Sequence, residues 1–255
     1  MSNSIVFQIQ DVTKRYGAVD ALRGVSFSLA EREILGVVGD NAAGKSTLLK
    51  ILSGIVPPTS GGLYVNGHPV SFRDTLDARQ LGIEVVYQDL MLAPNLDIVD
   101  NIFLGRPLTR CGVLAKLDQR SMLKRAQIIA SQLGFDSQGI SLSTRVDKLS
   151  GGQQQSVAIM RAMAFVPHTI LLDEPTASMS QRFIDNFHKV LLELRQNSNV
   201  AMIYVTHRLP DALAICDRIL VMKSGRIVAE RFPSTTDVGD LVTLMSQEMA
   251  DSLES

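Results

Sequence analysis

Directly after the apolar run ILGVV (34–38) the chain reads GDNAAGKST, Gly39 to Thr47, and continues as LLKILSG. No other stretch restricts the fold as strongly. Gly39, Gly44, Lys45 and Ser46 satisfy G-x-x-x-x-G-K-[ST], with a strand before and a helix after, as the pattern requires. A short turn in that setting aims successive backbone N–H groups at one point beside a positive helix end, which stabilises an anion. Phosphate is the natural occupant, cradled by Gly39, Asp40, Asn41, Ala42, Ala43, Gly44 and Thr47, with Lys45 reaching the β- and γ-phosphates and Ser46 ligating Mg²⁺. The helix from Lys45 carries Leu48, Leu49, Ile51 and Leu52 on one face, and Gly54 suits its C-terminal cap.

The flanking segments predict an α/β fold. IVFQIQDV and GVSFSLA alternate with period two, and GLYVNGHPVSF places Asn66-Gly67, the preferred pair for a two-residue hairpin, between two such runs. ILGVV, TILLD (169–173) and VAMIYVT (200–206) are instead nearly continuous apolar runs, as strands buried on both faces of a parallel sheet must be. Between Leu90 and Val166 the periodicity is helical with no strong strand, which reads as a helical subdomain inserted into the core. A helix through QRFIDNFHKVLLELRQ, a hairpin turning at Ser224-Gly225 and a tail from about Phe232 complete the reading of 1–255 as one domain.

A second site narrows the chemistry. TILLDEPT ends a buried strand in Asp173 and Glu174, and ligands of parallel sheets lie outside the carboxyl ends of strands. Asp173 is expected to hold Mg²⁺ and Glu174 to orient the attacking water. As strand neighbours the two are expected to point opposite ways. The sequence contains neither N-K-x-D nor T-K-x-D to read guanine, which argues against a GTPase.

LSGGQQQSVAIMRAM, Leu149 to Met163, resembles the signature segment of ATP-binding cassette (ABC) ATPases, and RYGAVDAL, VVYQD, DEPTASMS and VTHRL resemble further segments of that family in its usual order. With the phosphate loop these cover nearly the whole chain. The resemblance implies a P-loop NTPase fold: a RecA-like parallel core, an N-terminal antiparallel β subdomain and the inserted helices. It implies that Tyr16 stacks on adenine, that Gln88 touches Mg²⁺ and the attacking water, and that His207, with a neutral ring, contacts the γ-phosphate and Glu174. Ser150, Gly151, Gly152 and Gln153 then bind the γ-phosphate of an ATP held by a partner cassette, either a second copy or a paralogue. Short length without a membrane span implies separate permease subunits gripped through the helical subdomain, and a location on the cytoplasmic face of the inner membrane. GDNAAGKSTLLKILSGIVPPTSGGLYVNGHPV and NIFLGR look most similar to bacterial monosaccharide importers, which adds a periplasmic solute-binding protein.

Composition is consistent with this. With 25 Lys+Arg against 26 Asp+Glu, no global field draws the chain to nucleic acid, and neither arms nor a basic patch for it are visible. The start MSNSIVFQIQ lacks a basic, apolar leader, so a soluble, cytoplasmic chain is expected. Cys111 and Cys216 lack metal-type spacing and read as two packed or idle thiols. Three positions depart from the family. Ala42 replaces a usual loop glycine, Ser180 stands where an aspartate is common, and Arg32 replaces a frequent glycine before the first buried strand. Ala42 and Ser180 leave a second function open, a cassette that dimerises on ATP, hydrolyses it weakly and regulates a partner.

Overall fold

The computed structural model describes residues 4–110, 116–135, 139–177 and 181–246; Cys111 and Ser180 lie outside them. Two sheets organise the chain. Strands β1 (Ile5–Tyr16), β2 (Val19–Ala30), β4 (Ser60–Val65) and β5 (His68–Val70) form an antiparallel sheet in the order β2-β1-β4-β5. The second strand begins at Val19, earlier than the period-two run from Gly24 indicates. Asn66 and Gly67 both have positive φ, 50° and 77°, the backbone that a tight hairpin between β4 and β5 demands.

The larger sheet runs β10-β9-β3-β8-β7-β6, built from β3 (Ile34–Gly39), β6 (Ile83–Val86), β7 (Thr169–Asp173), β8 (Ala201–Val205), β9 (Arg218–Lys223) and β10 (Arg226–Arg231). All its pairings are parallel except the β9–β10 hairpin, which turns at Ser224-Gly225 as expected. Its central strands are apolar throughout because alternate side chains feed two separate cores. Leu35, Val37, Leu171, Ile203 and Val205 face α1 (Lys45–Leu52) and the antiparallel sheet, whereas Ile34, Val38, Leu172, Met202 and Tyr204 face a core that includes Met122, Val157 and Phe187. Each fully buried Leu, Ile or Val contributes roughly 1.5–3 kcal/mol relative to exposure. Gly36 interrupts the run because a Cβ there would lie 2.9 Å from Sγ of Cys216. Cys216 is thus a packing residue, and its burial pushes the thiol pKa up.

Helix α1 ends as its sequence indicates. Gly54, at φ 76°, follows the cap Ser53, and N–H groups of Gly54 and Ile55 donate to carbonyls of Ile51 and Lys50, which closes the last turn. Among the described residues, the regular elements between β6 and β7 are helical: α3 (Ile98–Ile102), α4 (Gln119–Gln132), a short 3₁₀ turn (Val146–Lys148) and α5 (Gly151–Met163), α2 (Thr75–Gln80) lying before β6. Met122, Ala126 and Ile129 of α4 share one continuous core with Ile34 and Leu172 of the sheet. Helices α6 (Gln181–Asn197) and α7 (Leu209–Ile215) cover the same face, and α8 (Val238–Ser246) packs its fully buried Leu241 beside β9. Among the described residues no helix is long and apolar enough to cross a membrane.

Candidate functional site

Because β3, β8, β7 and β6 are adjacent and parallel, their carboxyl ends emerge side by side on one edge. There a cavity of about 680 Å³ is lined by loop residues 41–47 together with Gln88, Asp173, Glu174 and His207. The glycines of the loop are fixed by close approach. A Cβ on Gly39 would sit 2.3 Å from the carbonyl of Met222, and one on Gly44, at φ 106°, would sit 2.8 Å from that of Ala21. Ala42 adopts φ 66°, the left-handed region that the departure from glycine makes unfavourable. That strain of about 1 kcal/mol is partly offset by the lower unfolded-state entropy of alanine, about 0.5 kcal/mol. Ala42→Gly is therefore expected to raise unfolding free energy by about 0.5 kcal/mol in urea titration; a loss of stability would show that the loop holds Ala42 without strain.

Lys45 is 7% exposed, and its ammonium donates to the carbonyl oxygens of Gly39 at 2.7 Å and Asp40 at 3.0 Å. Burial lowers its pKa, opposed by the charges of Glu174, Asp40 and Asp173. Asp173 is shifted up, first by desolvation and then by Glu174, while Lys45 and Lys50 pull it back. The expectation that Asp173 and Glu174 point opposite ways is overturned. Strand β7 ends at Asp173, and Glu174 takes φ 45° with its N–H donating to Val205, so both carboxylates reach the same cavity. Glu174 Oε2 lies 2.7 Å from Nδ1 of His207 and 3.3 Å from its backbone nitrogen. A carboxylate only accepts, so Nδ1 carries the proton of that contact.

Tyr16 stands at the end of β1, 44% exposed, with the Lys14 ammonium 5.1 Å above its ring. It is not among the cavity-lining residues, whereas Val19, its partner across the hairpin, is. Arg32, at φ 60°, is a surface turn residue whose guanidinium donates to Asn199. Ser150 caps α5 in a reciprocal pair with Gln153, its hydroxyl accepting from the Gln153 N–H while the Gln153 side chain accepts from the Ser150 N–H. Ser150, Gly152 and Gln153 line a separate cavity of about 480 Å³ with Phe183 and Lys189, and Gly151 heads the same helix. One chain therefore holds the phosphate loop and the signature turn in two cavities.

Several supporting residues carry no signal in the sequence. Gln155 of α5 donates to the carbonyl of Pro175, and Arg161 donates to those of Leu90 and Met91, the segment after Gln88. Each looks like an ordinary polar helix residue until its distant partner is known. Among the described residues no group of three or more His, Cys, Asp or Glu is placed to hold a metal. The hydroxyl of Ser46, the amide of Gln88 and the carboxylate of Asp173 line one cavity, an all-oxygen set that suits Mg²⁺ shared with phosphates better than a dedicated cage.

Comparisons with known proteins identify the family and the fold. The family model described as ABC transporter matches residues 22–177. The chain is 37% identical to a fructose import ATP-binding protein of Rhizobium meliloti, over 96% of this chain and 95% of that one. It is 39% identical to a ribose import ATP-binding protein of Burkholderia thailandensis over 94% of this chain, but spans only 46% of that relative's length. A bacterial ABC transporter cassette solved as a dimer superposes with a TM-score of 0.72 at 26% identity, covering 89% of this chain and 98% of that one.

Proposed function

This chain belongs to the ABC transporter ATP-binding family, and from that premise we propose that it is the ATP-hydrolysing subunit of a bacterial monosaccharide importer. The observation that carries the proposal is the convergence of the phosphate loop, Gln88, Asp173, Glu174 and His207 on one cavity. In it the N–H groups of residues 41–47 receive the phosphates, and Lys45 turns from the Gly39 and Asp40 carbonyls to the β- and γ-phosphate oxygens. Ser46, Gln88 and Asp173 would hold Mg²⁺, which would supply neutralisation of phosphate charge and Lewis-acid polarisation. Glu174 orients the water that attacks it, and Gln88 steadies that water from the β6 side. A ring that donates from Nδ1 to Glu174 has Nε2 left to face the γ-phosphate.

The signature turn has no part in the cavity of its own chain, so a second cassette supplies it. Ser150, Gly151, Gly152 and Gln153 of one copy then close on the γ-phosphate bound to the loop of the other, with Tyr16 beside the adenine. Loss of the γ-phosphate removes the bridging charge and the pair opens. The helical side carries the permease, where Met91 and Leu104, 60% and 46% exposed, stand near the segment that Arg161 holds. In this reading the assembly sits on the cytoplasmic face of the membrane, fed by a periplasmic solute-binding protein. Among the described residues, Ala42 in the left-handed region favours a weakly hydrolysing regulatory cassette.

Steady-state phosphate release from purified protein in Mg-ATP separates these readings. Turnover is expected, with loss of at least about ninety-five per cent of it on chelation of the metal, and uptake of a labelled monosaccharide by cells carrying the gene with its permease. Absence of turnover favours the regulatory cassette, and uptake that ignores the gene rejects sugar import.

A further inference from the structure

Beneath the cavity, buried hydrogen bonds join the two loops that carry Glu174 and His207. Thr176, fully buried and two residues after Glu174, donates its hydroxyl to Oδ2 of Asp211 at 2.6 Å. Arg208, next to His207, donates from Nε to the same oxygen at 3.0 Å. Asp211 is 3% exposed and is not among the residues lining the cavity. Behind Thr176 the hydroxyl of fully buried Tyr204 lies 3.3 Å from Oγ1, and Nε2 of His188 lies 3.5 Å beyond it. Donation runs one way along this path, from Tyr204 to Thr176 to Asp211, because the carboxylate only accepts. On the other side the Arg208 N–H donates to Thr206 Oγ1 at 3.0 Å, which fixes where the residue after His207 leaves the sheet.

A carboxylate this buried needs donors held in place around it to offset its desolvation. One oxygen of Asp211 thus ties the turn after β7 to the loop after β8, and with both ends tied His207 Nδ1 comes to rest 2.7 Å from Glu174 Oε2. We propose that Asp211, acting through Thr176 and Arg208, is a positioning residue for ATP hydrolysis that sets the spacing of Glu174 and His207. This rests on the ATPase reading above. Its consequence is specific: loosening the clamp slows the chemical step and spares nucleotide binding, which the phosphate loop provides.

The test pairs Thr176→Val, which removes the donor at nearly constant shape, with Thr176→Ser, which keeps it. In Thr176→Val and in Asp211→Ala, kcat is expected to fall at least about tenfold while the ATP dissociation constant stays within about twofold of wild type. Thr176→Ser is expected within about threefold of wild-type kcat, and the double variant Thr176→Val/Asp211→Ala no slower than Asp211→Ala alone, because Asp211→Ala already removes the bond that Thr176→Val deletes. Wild-type kcat in Thr176→Val, multiplying losses in the double variant, or an ATP dissociation constant that rises in step with the fall in kcat overturns the proposal. If Asp211→Ala does not fold, the Thr176 pair decides. A wild type without ATP turnover overturns the ATPase reading instead. The clamp is then judged by the ¹⁵N shift of His207 Nδ1, which moves in Thr176→Val if the clamp holds the imidazole against Glu174 and is unchanged if it does not.

Discussion

Glu174→Gln is expected to lower kcat for ATP hydrolysis by about 10²–10⁴-fold, the range for losing a positioned general base, while ATP still binds. The carboxylate is 17% exposed, accepts from the His207 ring at 2.7 Å and reaches the cavity that holds the phosphate loop. The amide of Gln keeps the shape, loses the charge and cannot take a proton from water. Binding and closure do not need that charge, so the variant is expected to accumulate as a dimer with trapped ATP, with a doubled apparent mass in size exclusion under Mg-ATP. A strictly monomeric Glu174→Gln protein in saturating Mg-ATP would count against sharing the nucleotide between two copies, and undiminished turnover would remove Glu174 from the mechanism.

Lys45→Ala is expected to weaken ATP binding at least about a hundredfold, the equivalent of about 3 kcal/mol, because the substitution deletes a charge-assisted hydrogen bond to phosphate in a desolvated site. The ammonium sits 7% exposed, and the carbonyls that it now bonds show how little water reaches it. Among the described residues its only hydrogen bonds are to the backbone carbonyls of Gly39 and Asp40, and Lys50 remains to offset Asp173, so the fold is expected to survive, with thermal unfolding close to wild type. Titration with a fluorescent nucleotide measures the affinity half: a dissociation constant within about threefold of wild type would show that the backbone N–H groups suffice.

Much of this molecule is legible in its sequence, and particular residues show why. Gly39 and Gly44 at their spacing, the apolar runs of β3, β7 and β8, the Asn66-Gly67 and Ser224-Gly225 turns and the cap at Gly54 all express preferences within a few residues of chain. Backbone torsion and side-chain period are local quantities, set by each residue and its near neighbours. Glu174 shows the limit of such local signals. Its place at a strand end implies a side chain opposed to Asp173, but the hydrogen bond from its N–H to Val205, 31 residues later, turns it into the cavity. Asp211 looks like an acid in the first turn of a short helix, and only Thr176, 35 residues before it, gives it a role.

The sequence by itself therefore determined which chemistry is present: an anion loop with its lysine, two acids ending a buried strand, and a capped signature helix. The tertiary structure alone decided what meets what. The order β3-β8-β7-β6 sets Lys45, His207, Glu174 and Gln88 around one cavity and leaves Ser150 in another. Strand order and the separation of two cavities depend on pairings between residues far apart in the chain, and no window of sequence contains both partners of such a pair.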